Sequence, residues 1–347
     1  MTRKFYEKIN KSLKQCISVD TQDYSFVQCV SPMNSKKPDL SWKNLWNPNF
    51  GAPAALLILY VANAVFTPRF ATVSNTLNML LQVSTTMFIA VGMTFVIASR
   101  GIDLTVGSTM ALVSVVVALL IKYGITVAIS FALCCALLVG LINGFLISRL
   151  KLDPLITTLA ALILWRGVAQ VIGDGQLVPF TNPTFEALGK GYLGFIPIQV
   201  VIAAVVIAGA FFCIRSTLFG RQIVAVGGNE KAARLAGIRA ERVKYIVYII
   251  SALLAGLAGL VETARLGLGD PSKVGVNAEF EAIAAVVVGG TPFSGGRANI
   301  LGTVVGALIM QVISTSFNML LIPFTWSLVL KSVIILFAIF LQRPKEV

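Results

Sequence analysis

The ionisable side chains inside or beside the apolar runs of this 347-residue chain are few: Asp103, Arg166, Glu262, Arg265, Glu279, Glu281 and Lys331. Histidine is absent, and Cys134, Cys135 and Cys213 fall in apolar runs without ligand spacing, as small packing residues do. No nucleophile stands beside a base and no carboxylate pair lies deep in one run, so enzymatic catalysis has no residues to carry it. Glu262 and Arg265 are three apart, the spacing of a pair on one helix face. The chemistry that remains is hydrogen bonding. Ser84, Thr85, Asn143, Trp165, Gln170, Glu281 and Thr291 are polar or aromatic within apolar runs, and each either lines a wet path or bonds one helix to the next.

The elements that must position these residues are membrane helices. Hydrophobic residues make up 56% of the chain and charged residues 12%, well below the roughly 25% of soluble domains. Spans are expected at 51–67, 75–98, 104–122, 126–148, 154–173, 195–214, 245–266, 278–292, 300–321 and 325–341. Most approach the ~20 residues a helix needs to cross the hydrocarbon core. The eighth is short, and a re-entrant or broken helix is expected near 278–296. The fold class is therefore all-α and integral to a membrane.

The net charge of +13 does not point to nucleic acid, because the basic residues sit in a tail and in short connectors rather than on a polar face. Most of the 28 Lys and Arg fall in residues 1–50, in 215–244 and in alternate connectors. Only Arg69, Lys122, Lys190 and Lys273 belong to the opposite side. The positive-inside rule then places both termini and 215–244 in the cytoplasm. Residues 1–50 read as a partly disordered cytoplasmic tail with no cleavable signal peptide, and 51–347 as the transmembrane domain.

Three clusters punctuate the spans. In Arg215–Lys244, Asn229 suits a helix N-cap, Glu230 its first turn and Gly237 its stop; Ala232, Ala233 and Ala236 give the short helix between them a small-residue face. Such a face lets another protein approach closely, or else belongs to an ordinary solvated connector. In 278–297, an apolar helix runs into Gly289-Gly290-Thr291-Pro292 and Gly295-Gly296, a break tolerated at membrane depth only against protein or water. Gly302 and Gly306 follow at close-packing spacing. In 100–107, Asp103 is either the cap of a tight turn or a carboxylate placed for function.

Gly101-Ile-Asp-Leu-Thr-Val-Gly107, the Ala225-Val-Gly227-Gly-Asn229, Ala232-Ala233 and Gly237-Ile238 loop, and Glu281-Ala-Ile, Gly289-Gly290-Thr291 and Gly295-Gly296 together resemble the permeases of ribose-type sugar ABC importers. The resemblance runs from about residue 51 to the C-terminus, in the family's order and spacing. Within the family, Pro154-Leu-Ile-Thr-Thr-Leu and the stretch from Arg166 to Gln176 look most similar to the galactofuranose importer permeases. Thr105 stands where Ser is common, and Phe280-Glu281 where Leu-Asp is common.

The resemblance implies a permease in a bacterial inner membrane, working with a cytoplasmic ABC ATPase that binds ATP and Mg. It also implies a second, related permease and a periplasmic sugar-binding protein. It assigns ATPase coupling to Gly227, Asn229, Ala232, Ala233, Gly237 and Ile238. From the polar and aromatic residues of the spans and from the position of the breaks, rather than from the resemblance, the path or its gate is expected at Asp103, Asn143, Trp165, Gln170, Glu281, Gly289, Gly290 and Thr291. The chain itself has no Gly-x-x-x-x-Gly-Lys phosphate loop, so no cofactor is expected in it. The competing class is an ion-coupled secondary transporter. That class favours buried ionisable relays and inverted repeats. Here only a faint echo links Gly107-Ser-Thr-Met-Ala-Leu to Gly302-Thr-Val-Val-Gly-Ala-Leu.

Overall fold

The computed structural model describes residues 48–341, so the expectations for the rest of the N-terminal tail lie outside the described residues. Each of the ten expected spans holds a helix: α1 (Pro48–Phe66), α2 (Val73–Ala98), α3 (Val106–Leu120), α4 (Ile125–Ser148) and α5 (Pro154–Ile172), then α7 (Ile198–Ser216), α10 (Ala240–Leu266), α11 (Ala278–Val288), α12 (Ile300–Met319) and α13 (Phe324–Leu341). Three short helices fill the connectors: α6 (Pro183–Lys190), α8 (Leu218–Gly228) and α9 (Glu230–Leu235). Among the described residues, seven helices are long and apolar enough to cross a membrane. The connectors also hold two small ladders that an all-α reading omits. Val178–Pro179 pairs with Leu268–Gly269, and Tyr192–Leu193 pairs with Ile196–Pro197 around Gly194.

Local chemistry sets the helix starts. Thr72, Asp153, Asn182, Thr217, Asn229 and Asn299 each accept a bond from a backbone N–H of the following turn. Pro154 and Pro183 then occupy the first helical position, where a missing N–H costs nothing.

The centre is built by α10, which packs along α2, α3 and α4. Small residues make this possible. A side chain at Gly140 would strike the Ile249 backbone, one at Gly256 would strike Ala136, and one at Gly259 would strike the Met110 backbone. Apolar burial drives no helix association inside lipid, so close backbone approach of this kind supplies the packing. In contrast, α4, α5 and α7 leave broad apolar faces exposed, with Leu138, Ile163 and Phe212 among the uncovered side chains.

Two segments interrupt the bundle. The first is the expected break: α11 has only 11 residues, and 289–299 then continue without helix. The second is larger than the tight turn that Asp103 suggested. Residues 101–105 form an irregular stretch whose Asp103 is fully buried against Ser251, well inside α10, and α3 begins only at Val106. The 289–299 segment meets residues 227–228 at the end of α8, and Gly227 also meets Ala98, just before the 101–105 stretch. That end of the bundle is called the loop end below; the end holding α6 and the ladders is the connector end.

Candidate functional site

At the connector end, a cavity of about 580 Å³ opens between α2, α10, α11, α12 and residues 270–277. Its lining is mixed. Gln82, Thr85 and Thr86 come from α2, Glu262 and Arg265 from α10, Glu281 from α11, and Gln311, Ser314 and Asn318 from α12. Residues 270–277 add Asp270 and Lys273, and the charges carried by the helices are paired. Arg265 pairs with Glu262 at 2.5 Å, as their spacing foretold, and Thr85 donates to the same carboxylate at 3.1 Å. Lys331 of α13 reaches Glu281 at 2.6 Å. Gln311 donates to Gln82 at 2.9 Å across the cavity wall. The outcome is a polar, hydrogen-bonding chamber in an apolar bundle, with the ion pairs of its helices formed.

Of the residues singled out in sequence, Thr85, Glu262, Arg265 and Glu281 line this chamber. Asp103 and Asn143 come together elsewhere. Asp103 Oδ1 accepts from the Thr105 N–H at 3.0 Å and the Thr105 hydroxyl at 2.6 Å, while Oδ2 accepts from Ser251 at 2.7 Å. Asn143 donates to the Thr105 hydroxyl at 2.9 Å. All four residues are buried, so the network fixes the 101–105 stretch to α4 and α10. Trp165 packs against the α3–α4 cluster, its indole N–H buried without a partner, and Gln170 is exposed on α5. Ser84 turns back to the Leu80 carbonyl.

Gly289, Gly290 and Thr291 sit at the turn between α11 and α12. The Gly289 carbonyl accepts from Asn299 at 3.1 Å, and the Thr291 hydroxyl accepts from the Asn299 N–H at 3.1 Å. The backbone of Gly289 lies directly on Gly302, and that of Ala285 on Gly306. Gly290 has φ of +88°, a conformation glycine adopts without penalty.

Sequence reasoning missed Gln82, Gln311, Ser314 and Asn318. The signal was present: 311, 314 and 318 fall at spacings of three and four, a polar stripe on an otherwise apolar helix.

At the loop end, Asn229 Oδ1 caps α9 through the Ala232 N–H at 3.0 Å. The Gly237 N–H donates to Arg234 and the Ile238 N–H to Ala233, with Gly237 at φ +81°, which closes the helix as a glycine stop does. One expectation needs correcting. Ala233 is not on an open small-residue face but is buried beside Val226, Ala240 and Val243. A single-turn helix must anchor one side to stay ordered. The open side carries Ala232, Ala236 and Leu235, whose side chain is 91% exposed.

An ion network holds this helix to its neighbours: Arg234 pairs with Glu230 and Glu241 at 2.7 Å, and Lys244 with Glu230 at 2.6 Å. Partial burial opposes the charge of Glu230, but hydrogen bonds from Lys244 and Arg234 outweigh it and hold its carboxyl below the ordinary range. At the other end, the hydrogen bond from Lys190 does the same for Glu186 of α6.

Comparison with known proteins agrees with this layout. Residues 75–339 match the family described as branched-chain amino acid transport system/permease component. The chain is 39% identical over 293 residues to a ribose import permease of Haemophilus influenzae, covering 82% of this chain and 90% of the relative. It is 40% identical over 295 residues to the ribose import permease of Bacillus subtilis, covering 84% and 91%. A galactofuranose transporter permease of Escherichia coli is 34% identical over 310 residues, covering 86% and 91%. Identity is thus higher to the ribose permeases, and the expected special nearness to the galactofuranose branch is not supported. No solved structure matches. With the family model spanning most of the chain and relatives aligned along nearly their whole length, this protein belongs to the branched-chain amino acid transport system/permease component family, among its sugar importer permeases.

Proposed function

We propose that this chain is the membrane subunit of an ATP-driven importer and forms part of the path by which a monosaccharide enters a bacterial cell. The observation that carries the reading is the connector-end chamber. Its amides and hydroxyls, with the helix-borne charges paired, suit a neutral, hydroxyl-rich solute, which needs hydrogen-bond partners but no counter-ion. Ribose is the first sugar to test, given the relatives; arabinose and galactofuranose follow.

In this reading the loop end faces the cytoplasm, as the basic residues of 215–244 suggest, and the chamber faces the periplasm. A periplasmic sugar-binding protein delivers the substrate to the connector end. A second, related permease completes the path, and the exposed apolar faces meet it or lipid. A separate ATPase, carrying ATP and Mg, docks on α9 through Leu235, Ala232, Ala236 and Gly237. Asp103 with Asn143, and Gly289 to Thr291, set the two broken segments at the inner end of the path. Trp165 and Gln170 lie outside this chamber, so any part they play in the path depends on the second permease.

Vesicles holding the chain with its ATPase, and loaded with ATP, should take up labelled ribose only when the sugar-binding protein is outside. Leu235→Asp should abolish uptake and release the ATPase from the purified complex, while the permease keeps its elution volume in detergent. Uptake that persists without ATP, or an ATPase retained in full by Leu235→Asp, would overturn the reading or the docking site respectively.

A further inference from the structure

Three stretches of backbone meet at the loop end with no side chain between them. The Gly296 N–H donates to the Ala98 carbonyl at 3.0 Å, tying the 289–299 segment to the last residue of α2. Gly227, near the end of α8, lies against this bond. A Cβ there would run into the Ala98 carbonyl oxygen and stand 2.7 Å from the Gly296 nitrogen. A Cβ on Gly296 would be 2.9 Å from the Gly228 Cα, and one on Gly295 would be 3.0 Å from both the Arg100 Cβ and the Gly227 carbonyl. Gly295 and Gly296 also hold φ of +74° and +77°, where other residues are strained.

The position of this contact gives it meaning. Gly227 lies two residues before Asn229, the cap of α9. Arg100 lies three residues before Asp103, whose network holds the 101–105 stretch to α4 and α10. Gly296 lies three residues before Asn299, which caps α12 and bonds the Gly289 carbonyl at the end of α11. α11 in turn carries Glu281 into the chamber. A side-chain contact absorbs displacement by changing rotamer; backbone pressed on backbone cannot, because close-packed interiors transmit strain.

We propose that Gly227, Gly295 and Gly296 are positioning residues for transport: they form a backbone junction through which displacement of α9 moves both broken segments together. This rests on the reading that the ATPase docks on α9. Gly228 offers an internal control. It is the next residue of the same helix, yet a Cβ there would find nothing nearer than 3.9 Å.

The test is hydrogen exchange on the purified complex, nucleotide-free and trapped with ATP and vanadate. In the parent protein and in Gly228→Ala, trapping should change exchange in 229–238 and also in 98–103 and 293–299. In Gly227→Ala the change should stay within 229–238, and sugar-stimulated ATP hydrolysis should fall at least ~10-fold, about 1.4 kcal/mol of coupling. The junction is refuted if trapping alters 229–238 in the parent but leaves the other two segments unchanged, or if Gly228→Ala uncouples as strongly as Gly227→Ala. Should Gly227→Ala fail to assemble, the parent's exchange pattern decides alone. A trapped complex with 229–238 unaltered refutes docking on α9 itself, and this inference with it.

Discussion

The two ends of the bundle are built on opposite rules. At the connector end, side chains do the work: Gln82, Glu262, Arg265, Glu281 and Gln311 project into an open chamber. At the loop end and along the α11–α12 seam, side chains have been removed, and Gly227, Gly289, Gly295, Gly296, Gly302 and Gly306 let backbones touch. Under the proposed function, a chamber that releases cargo is served by adaptable polar groups, and a junction that passes motion by rigid contact. Mutational tolerance should therefore differ sharply between the ends.

The largest effect is expected on the seam. Gly302→Val would drive a branched side chain into the Gly289 carbonyl and the Asn299 amide, an overpacking that costs ~3 kcal/mol or more. Thermal unfolding in detergent should fall by many degrees or the folded peak should vanish; an unchanged midpoint would erase the contrast between the ends.

A smaller, purely functional effect is expected in the chamber. Gln311→Leu removes a bond to Gln82 from a part-exposed position, so stability should change by only ~0.5 kcal/mol. Sugar uptake should drop about tenfold, equivalent to ~1.4 kcal/mol. A loss of stability as large as that of Gly302→Val would show the chamber to be structural.

The smallest effect concerns the charged clasp around α9. Folding lowers the Glu230 pKa beneath its ordinary 4.5. Its contribution is therefore present above that value and disappears as pH falls through the lowered pKa. The pairs are over a third exposed on at least one side, so the contribution is under ~1 kcal/mol. Exchange protection of 229–238 should hold from neutral pH down to the carboxylate range and weaken only below it. Weakening that begins near neutral pH would mean another group holds the helix.

Much of this was legible in the residues. Ten apolar runs gave ten helices, Gly289-Gly290 marked the end of α11, and the Glu262–Arg265 spacing gave the chamber its ion pair. Asn229 and Gly237 bounded α9 because capping and positive φ are local chemistry. What could not be read was direction. A six-residue helix has too few turns for periodicity to say that Ala233 faces inward and Leu235 outward. The depth of Asp103 was hidden as well, because its partner Ser251, and Asn143 which bonds the Thr105 hydroxyl beside it, are remote in sequence. The chamber residues on α12 were visible as a stripe, but only the packed bundle shows which helices the stripe faces.

The Asp103 network also bears on how the chain is made. Its carboxylate is buried in the bundle, yet one of its acceptor bonds is filled by Ser251, 148 residues further along. During synthesis α2 and α3 enter the membrane long before α10 exists. Until then the stretch between them holds a carboxylate with Thr105 as its local donor. A bilayer disfavours such a state, because an ionisable group at membrane depth is costly. The 101–105 stretch thus reaches its final seat only after α10 inserts. A chain halted before Ser251 should leave Asp103 without its distant donor.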